Sequence, residues 1–339
     1  MRRLATVPRR RRRGRVLGGA VRAAAAGALV AAVAVPLARR RLRIHPAVTT
    51  AAVVSAPAAA AILRPRTRAR DAFLYGLQMW GFTIAHELPY DDPERLRARL
   101  RYRYPIAIDR LIGRGELPTT RLQHALGEPG AVTRIDRALS LVHWVWFAQP
   151  HLALLYILLR DPEHFARAAR QMAAVYDLGC AVYHAVPTAP PWWASEQGHL
   201  DEAVERIPGE VAAAEAPRVR RVMVDVGERA WGRAWPRLYD SLGGNPWAAM
   251  PSLHFATSVM AALLLAEQRA GAGLAGWCYA ATLGFALVYL GEHYVTDLVA
   301  GAALVAVVRR GEPLAEPLAL RVSDSLQRLE RVVNPRSAV

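Results

Sequence analysis

Apolar stretches of roughly 15 to 24 residues alternate with clusters of arginine along this chain, and few folds accommodate that pattern. A helix needs about 20 apolar residues to cross a hydrocarbon core of about 30 Å. Flanking basic residues set the direction in which it crosses. Hydrophobic residues make up 53% of the 339, yet 44 basic side chains stand against 28 acidic ones, a net charge of +16. A globular core cannot absorb both unless they are kept apart, and here they are kept apart along the chain. The pattern is that of a polytopic membrane protein. It excludes a disordered chain, a collagen-like chain and a small disulfide scaffold.

The chain has no lysine, so every basic side chain is arginine. That rules out Schiff-base chemistry and a Walker-type phosphate loop, which both need the amine. Cys180 and Cys278 sit inside apolar segments, outside any CxxC or Cys/His cluster, and read as buried small residues rather than a disulfide or metal site. The arginines flank apolar spans, which favours the bilayer and its headgroups over nucleic acid as their partner.

Residues 1–70 are rich in Ala and Arg, with an Arg run at 9–13 and apolar stretches near 17–38 and 46–63. Three readings stay open there: one or two extra helices, a signal peptide, or a peripheral or disordered segment. Arg39, Arg40, Arg41 and Arg43 would face outward if both stretches crossed, against the positive-inside rule. From Asp71 the pattern predicts six core spans, near 71–89, 138–159, 166–187, 248–266, 272–290 and 294–308. The fold class expected is all-α, a polytopic transmembrane helical bundle. Residues 71–310 form its membrane-embedded domain and 311–339 a cytoplasmic tail. Arg64–Arg70, Arg160–Arg170, Arg269 and Arg309–Arg310 fall on one side if the spans alternate, which makes that side cytoplasmic. Residues 90–137 and 188–247 then face outward. The arginines of the first strain the charge rule. The tryptophans of the second (Trp192, Trp193, Trp231, Trp235, Trp247) predict a loop lying on the bilayer.

Polar residues at membrane depth are costly and point to function. In Gly291-Glu292-His293-Tyr294-Val295-Thr296-Asp297, a helical reading puts His293 and Asp297 on one face, a turn apart. An Asp accepting from one imidazole nitrogen leaves the other free to attack or take a proton. In Asn245-Pro246-Trp247-Ala248-Ala249-Met250-Pro251-Ser252-Leu253-His254, Pro251 and Ser252 suit a helix start. His254 then sits at a helix N-terminus, a setting suited to phosphate. The topology brings both segments to one depth on the outer face.

Pro251-Ser252-Leu253-His254 and Tyr289 through Gly301 resemble the second and third signature motifs of the type 2 phosphatidic acid phosphatase superfamily. Within it the chain resembles the branch of the fungal inositol phosphorylceramide synthases and their bacterial relatives. Leu253 replaces the glycine usual in the phosphatases. Pro187 through Trp193 resembles that branch's Pro-Pro-aromatic element. Asp109–Gly113, Leu117-Pro118 and Leu122-Gln123 resemble its amphipathic segment.

The resemblance implies a mechanism: His293 as nucleophile forming a phospho-histidine, Asp297 orienting it, and His254 as general acid, with no metal or cofactor. The implied partners are a lipid phosphate or phosphodiester and the bilayer. The phosphatases' cations are missing: there is no Lys, and Leu287 stands six residues before His293, where they carry Arg. A phosphoryl transition state still needs charge stabilisation. Arg237 and Arg233 are the first candidates, with Arg218, Arg220 and Arg221 behind them. Ser252, Tyr183 and His184 are further candidate substrate contacts. His86, His143 and His151 read as polar helix contacts or pocket lining. The expected activity is metal-independent lipid phosphate hydrolysis or inositolphosphotransferase-like headgroup transfer. The rival reading is a non-catalytic lipid-binding or transport protein on the same scaffold.

Overall fold

The computed structural model describes residues 9–200, 219–235 and 247–334. Among these residues the chain is an all-α membrane bundle without strands, its β-bridges being those of Thr188 to Arg101 and to Ala248. It divides into two compact units, Met1–Leu88 with Gly311–Val339, and Pro89–Arg310.

In the first unit, α1 (Arg9–Leu42), α2 (Pro46–Leu63) and α3 (Arg68–Glu87) pack in sequence order. Ala25, Ala59, Ile62 and Val333 form a buried cluster. Arg39, 7% exposed, pairs with Glu87 at 3.0 Å, and Trp80 Nε1 donates to the Ala32 carbonyl at 2.9 Å. Both N-terminal apolar stretches are therefore helical.

The second unit opens with three short helices, α4 (Pro93–Arg97), α5 (Arg103–Ile112) and α6 (Pro118–Leu126). Then come α7 (Arg134–Val145), α8 (Gln149–Arg160), α9 (Pro162–Ala185) and α10 (Pro191–Glu196). They are followed by α11 (Val222–Trp231), α12 (Leu253–Gln268), α13 (Ala270–Tyr289) and α14 (Val295–Val333), the last continuing beyond Arg310 into the first unit. Helices α12 and α13 form a close antiparallel pair, and α8 and α9 pack on α12. Leu152, Leu155, Leu159, Leu274, Trp277 and Val299 stay exposed, as side chains facing hydrocarbon would.

Several expectations are corrected. The span predicted at 138–159 is two helices, α7 and α8, bent by 46°. Pro150 lies in the first turn of the second of them, and a proline there has no N–H to continue the first. The short last span is the start of a 39-residue helix that passes through Pro313 and Pro317. By length and composition, Val16–Leu42, Pro46–Leu63 and Ala270–Tyr289 can each cross a membrane, and the bent pair qualifies as one more. Cys180 is buried, but Cys278 is exposed on α13. Of the tryptophans expected on the bilayer, Trp192, Trp235 and Trp247 are 5–6% exposed and pack inside the protein, whereas Trp231 is half exposed.

Candidate active site

The turn between α13 and α14 carries His293. Gly291 stands at φ +80°, a conformation that favours glycine, and closes α13. Its N–H donates to the Val288 carbonyl at 3.2 Å, and that of Glu292 to Leu287 at 3.1 Å. This is a Schellman ending, and it turns the chain sharply so that His293 follows outside the helix. His293 and Asp297 therefore do not share a helical face, contrary to the sequence reading. Asp297 lies instead in the first turn of α14, where its Oδ2 accepts the Tyr294 N–H at 2.9 Å. That bond reaches back over the helix start and brings the same oxygen to 3.3 Å from His293 Nδ1.

The opposite wall is the start of α12. Ser252 is its N-cap: Oγ accepts the Phe255 N–H at 3.3 Å, and its own N–H donates to the Asp297 carbonyl at 3.0 Å. His254, in the first turn, places Nδ1 3.1 Å from His293 Nε2. The three side chains thus form one line, His254–His293–Asp297. His293 is 4% exposed and Asp297 is fully buried. With Asp297 as carboxylate, which only accepts, the bonds run one way. His293 Nδ1–H donates to Asp297, and His254 Nδ1–H donates to the lone pair on His293 Nε2. An entering electrophile has only to displace the His254 N–H to meet a nucleophilic nitrogen.

Both walls are held by residues far away in sequence. Asp109 of α5, fully buried, accepts the Val295 N–H at 2.8 Å, the Thr296 N–H at 2.9 Å and the Thr296 hydroxyl at 2.6 Å. It caps α14 from outside. Gln123 of α6 donates to the Tyr289 carbonyl at 2.7 Å and brackets the Arg220 backbone with two further bonds. The amphipathic segment thus grips both ends of the His293 turn. The α12 entry is tied down by Thr188, whose N–H donates to the Trp247 carbonyl at 2.9 Å. Tyr104 bonds the Thr188 hydroxyl at 2.8 Å and Met250 Sδ at 3.0 Å. Burial pushes its phenol up to about 12, so it stays neutral.

The other expected site residues are placed as follows. Tyr183 is 3% exposed and donates its hydroxyl to the Pro251 carbonyl at 2.7 Å, so it braces the loop before His254. His184 Nδ1 faces the Cys180 carbonyl at 2.9 Å. Arg220 reaches Asp225 at 3.0 Å and Asp136 at 3.6 Å, and bonds the Ala131 and Glu128 carbonyls, so it staples the outer loop. Arg221 stacks on Trp192 at 3.7 Å. Arg218, Arg237 and the side chain of Arg233 lie outside the described residues.

Three residues here were not singled out for the chemistry: Asp109, Gln123 and His143. His143 is 4% exposed, and its ring centroid lies 4.7 Å from that of His254. Trp146 flanks His254 at 4.1 Å and donates Nε1–H to Thr257 at 2.9 Å. Depth held a signal for His143, because its predicted span begins on the same outer side as that of His254.

Leu253 has a matching hollow. A Cβ at Gly179 of α9 would lie 2.5 Å from Leu253 Cδ2, so that helix must be bare where the leucine packs. Overpacking of this kind costs roughly 1–3 kcal/mol. Gly179→Leu is expected to lower stability and activity together. Adding Leu253→Gly should restore much of the stability, read as a positive coupling in a double-mutant cycle of thermal unfolding. Additive losses would show that the two positions do not share one space.

No curated protein and no solved structure matches the chain. The family model of the PAP2 superfamily matches residues 130–309, which include both histidine segments but not Asp109 or Gln123. That match spans more than half of the 339 residues, and the chain belongs to the PAP2 superfamily.

Proposed function

We propose that the protein is a metal-independent lipid phosphate phosphatase or phospho-headgroup transferase that works through a phospho-histidine on the extracytoplasmic face. The observation that carries this reading is the line His254–His293–Asp297, with nitrogens 3.1 Å apart and a buried carboxylate behind them. His293 Nε2 attacks phosphorus, and a P–N bond forms as the P–O bond to the leaving group breaks. His254 Nδ1 gives its proton to the departing oxygen. Asp297 balances the charge that builds on the His293 ring. In the second half-reaction a water or alcohol gives its proton to His254, its oxygen bonds phosphorus, and the P–N bond breaks. Water yields hydrolysis and an alcohol yields transfer. The resemblance to the inositol phosphorylceramide synthases favours an inositolphosphotransferase-like transfer.

The placement of the site on the outer face is supported by charge. At the other end of the same helices, Glu267 of α12 pairs with Arg309 of α14 at 2.5 Å and with Arg167 of α9 at 3.3 Å. Arg269 joins α12 to α13 at that end. An arginine-rich end reads as cytoplasmic.

The test uses full-length protein in detergent with EDTA, a panel of lipid phosphates and phosphodiesters, and the His293→Ala variant beside the wild type. Turnover should persist in EDTA and fall by about 10⁴-fold or more in the variant, as loss of a nucleophile does. Hydrolysis is marked by free phosphate from a monoester or by the headgroup monophosphate from a diester, and transfer by a new phosphate ester of the added alcohol. Turnover unchanged by His293→Ala would sink the reading.

A further inference from the structure

We propose that His143 is a direct substrate contact, a third imidazole that hydrogen-bonds a non-bridging phosphoryl oxygen while His293 is being phosphorylated. The inference rests on the reading just given and adds a residue to it. His143 closes the last turn of α7, with its ring tilted by 39° against His254 at 4.7 Å. It is 4% exposed, and its Nδ1 is buried with no hydrogen-bond partner. Buried polar atoms are rarely left this way, and a catalytic role is one of the recognised reasons. Ser140 and Trp144 also keep unpartnered polar atoms on this helix, but His143 is the one of the three whose ring meets a reacting residue.

Geometry and charge both call for such a group. A phosphoryl group bonded to His293 Nε2 must push apart a pair of nitrogens that now lie 3.1 Å from each other, which brings it against the His254 ring and its neighbours. Its equatorial oxygens carry the transition-state charge and need donors. Arg220 is committed to Asp136, Asp225 and backbone carbonyls. A residue that served only as packing against His254 would need no nitrogen, and phenylalanine would fill the place as well. An imidazole there adds a donor among buried side chains, where one well-placed donor is worth about 10²–10³ in rate.

The test compares wild type, His143→Phe and His143→Asn in the full-length protein in detergent, with His293→Ala as a control. The readouts are kcat and KM on a lipid phosphate, and inhibition by orthovanadate, a probe that presents oxygens where phosphoryl oxygens would lie. Phenylalanine keeps a ring against His254 and removes both nitrogens. Asparagine returns a polar atom near Nδ1. The expected result is a loss of kcat of about 10²-fold in His143→Phe with KM nearly unchanged. Vanadate inhibition should weaken at least tenfold in the same variant, and asparagine should recover much of both. Equal kcat losses in Phe and Asn with vanadate inhibition intact would overturn the proposal and leave His143 a positioning residue. Wild-type kcat in His143→Phe would overturn it too. Thermal unfolding of each variant separates these results from misfolding. The parent reading fails differently: wild type would then turn over no lipid phosphate, or His293→Ala would keep wild-type turnover.

Discussion

Replacing His254 by alanine is expected to trap the protein in its phosphorylated form. The 3.1 Å between His254 Nδ1 and His293 Nε2 puts the proposed proton donor beside the proposed nucleophile. In the proposed mechanism His254 gives a proton to the leaving oxygen in the first half-reaction and takes one from the acceptor in the second. The two duties can be separated by the leaving group. A nitrophenyl phosphate ester leaves as a stable anion and needs no proton, so His254→Ala should still be phosphorylated on His293. Water remains a poor nucleophile without a base, and that step should slow by about 10²–10⁴-fold. Protein-bound phosphate should then rise in a burst towards one per chain and decay slowly. It should be acid-labile and base-stable, as a phosphoramidate is. Wild type should show little bound phosphate at steady state, and His293→Ala none. Loss of turnover in His254→Ala without bound phosphate would place His254 outside the proton path.

The features of the site that were legible in the sequence are those built from neighbours in the chain. Ser252 before an apolar run signals a helix start, and α12 begins at Leu253. The spacing of His293 and Asp297 signals a pair, and they meet at 3.3 Å. The route differed, because the glycine at 291 ends one helix and the pair straddles the start of the next. What was not legible depends on contacts between distant segments. Asp109 meets Val295 and Thr296 across 186 and 187 residues, and no local periodicity announces such a cap. Gln123 looked like a member of an amphipathic pattern, yet it is buried and satisfies three backbone groups. Arg220 showed the same limit in reverse. Its charge suggested phosphate, and the acids that claim it lie on α11 and on α7. The bend between α7 and α8 was written in Pro150, but an apolar run on both sides hid it.

Asp109→Ala should be the most damaging change that leaves the His254–His293–Asp297 side chains in place. Helix N-termini expose unpaired N–H groups, and at the start of α14 those of Val295 and Thr296 are partly buried and directed at Asp109. Asp109 supplies the acceptor for two of them and for the Thr296 hydroxyl, and its charge sits where the helix dipole favours an anion. A buried donor left unpaired costs about 1–3 kcal/mol, and these are only partly buried, so truncation should cost roughly 2–4 kcal/mol of stability. The functional loss follows from position. Asp297 is two residues beyond Val295, and its Oδ2 must hold both the Tyr294 N–H and His293. A shift of about 1 Å in that turn would cost about 10²-fold in kcat, with the lipid's KM little changed. Asp109→Asn separates the two effects. Its amide oxygen can still accept from Thr296, while its NH₂ group faces a like donor on Val295. It should therefore fall between wild type and alanine in both thermal unfolding and kcat. Assays well below each variant's unfolding temperature keep the two readouts apart. If Asp109→Ala unfolds within about 1 kcal/mol of wild type and keeps its kcat, the start of α14 is held by something other than this carboxylate.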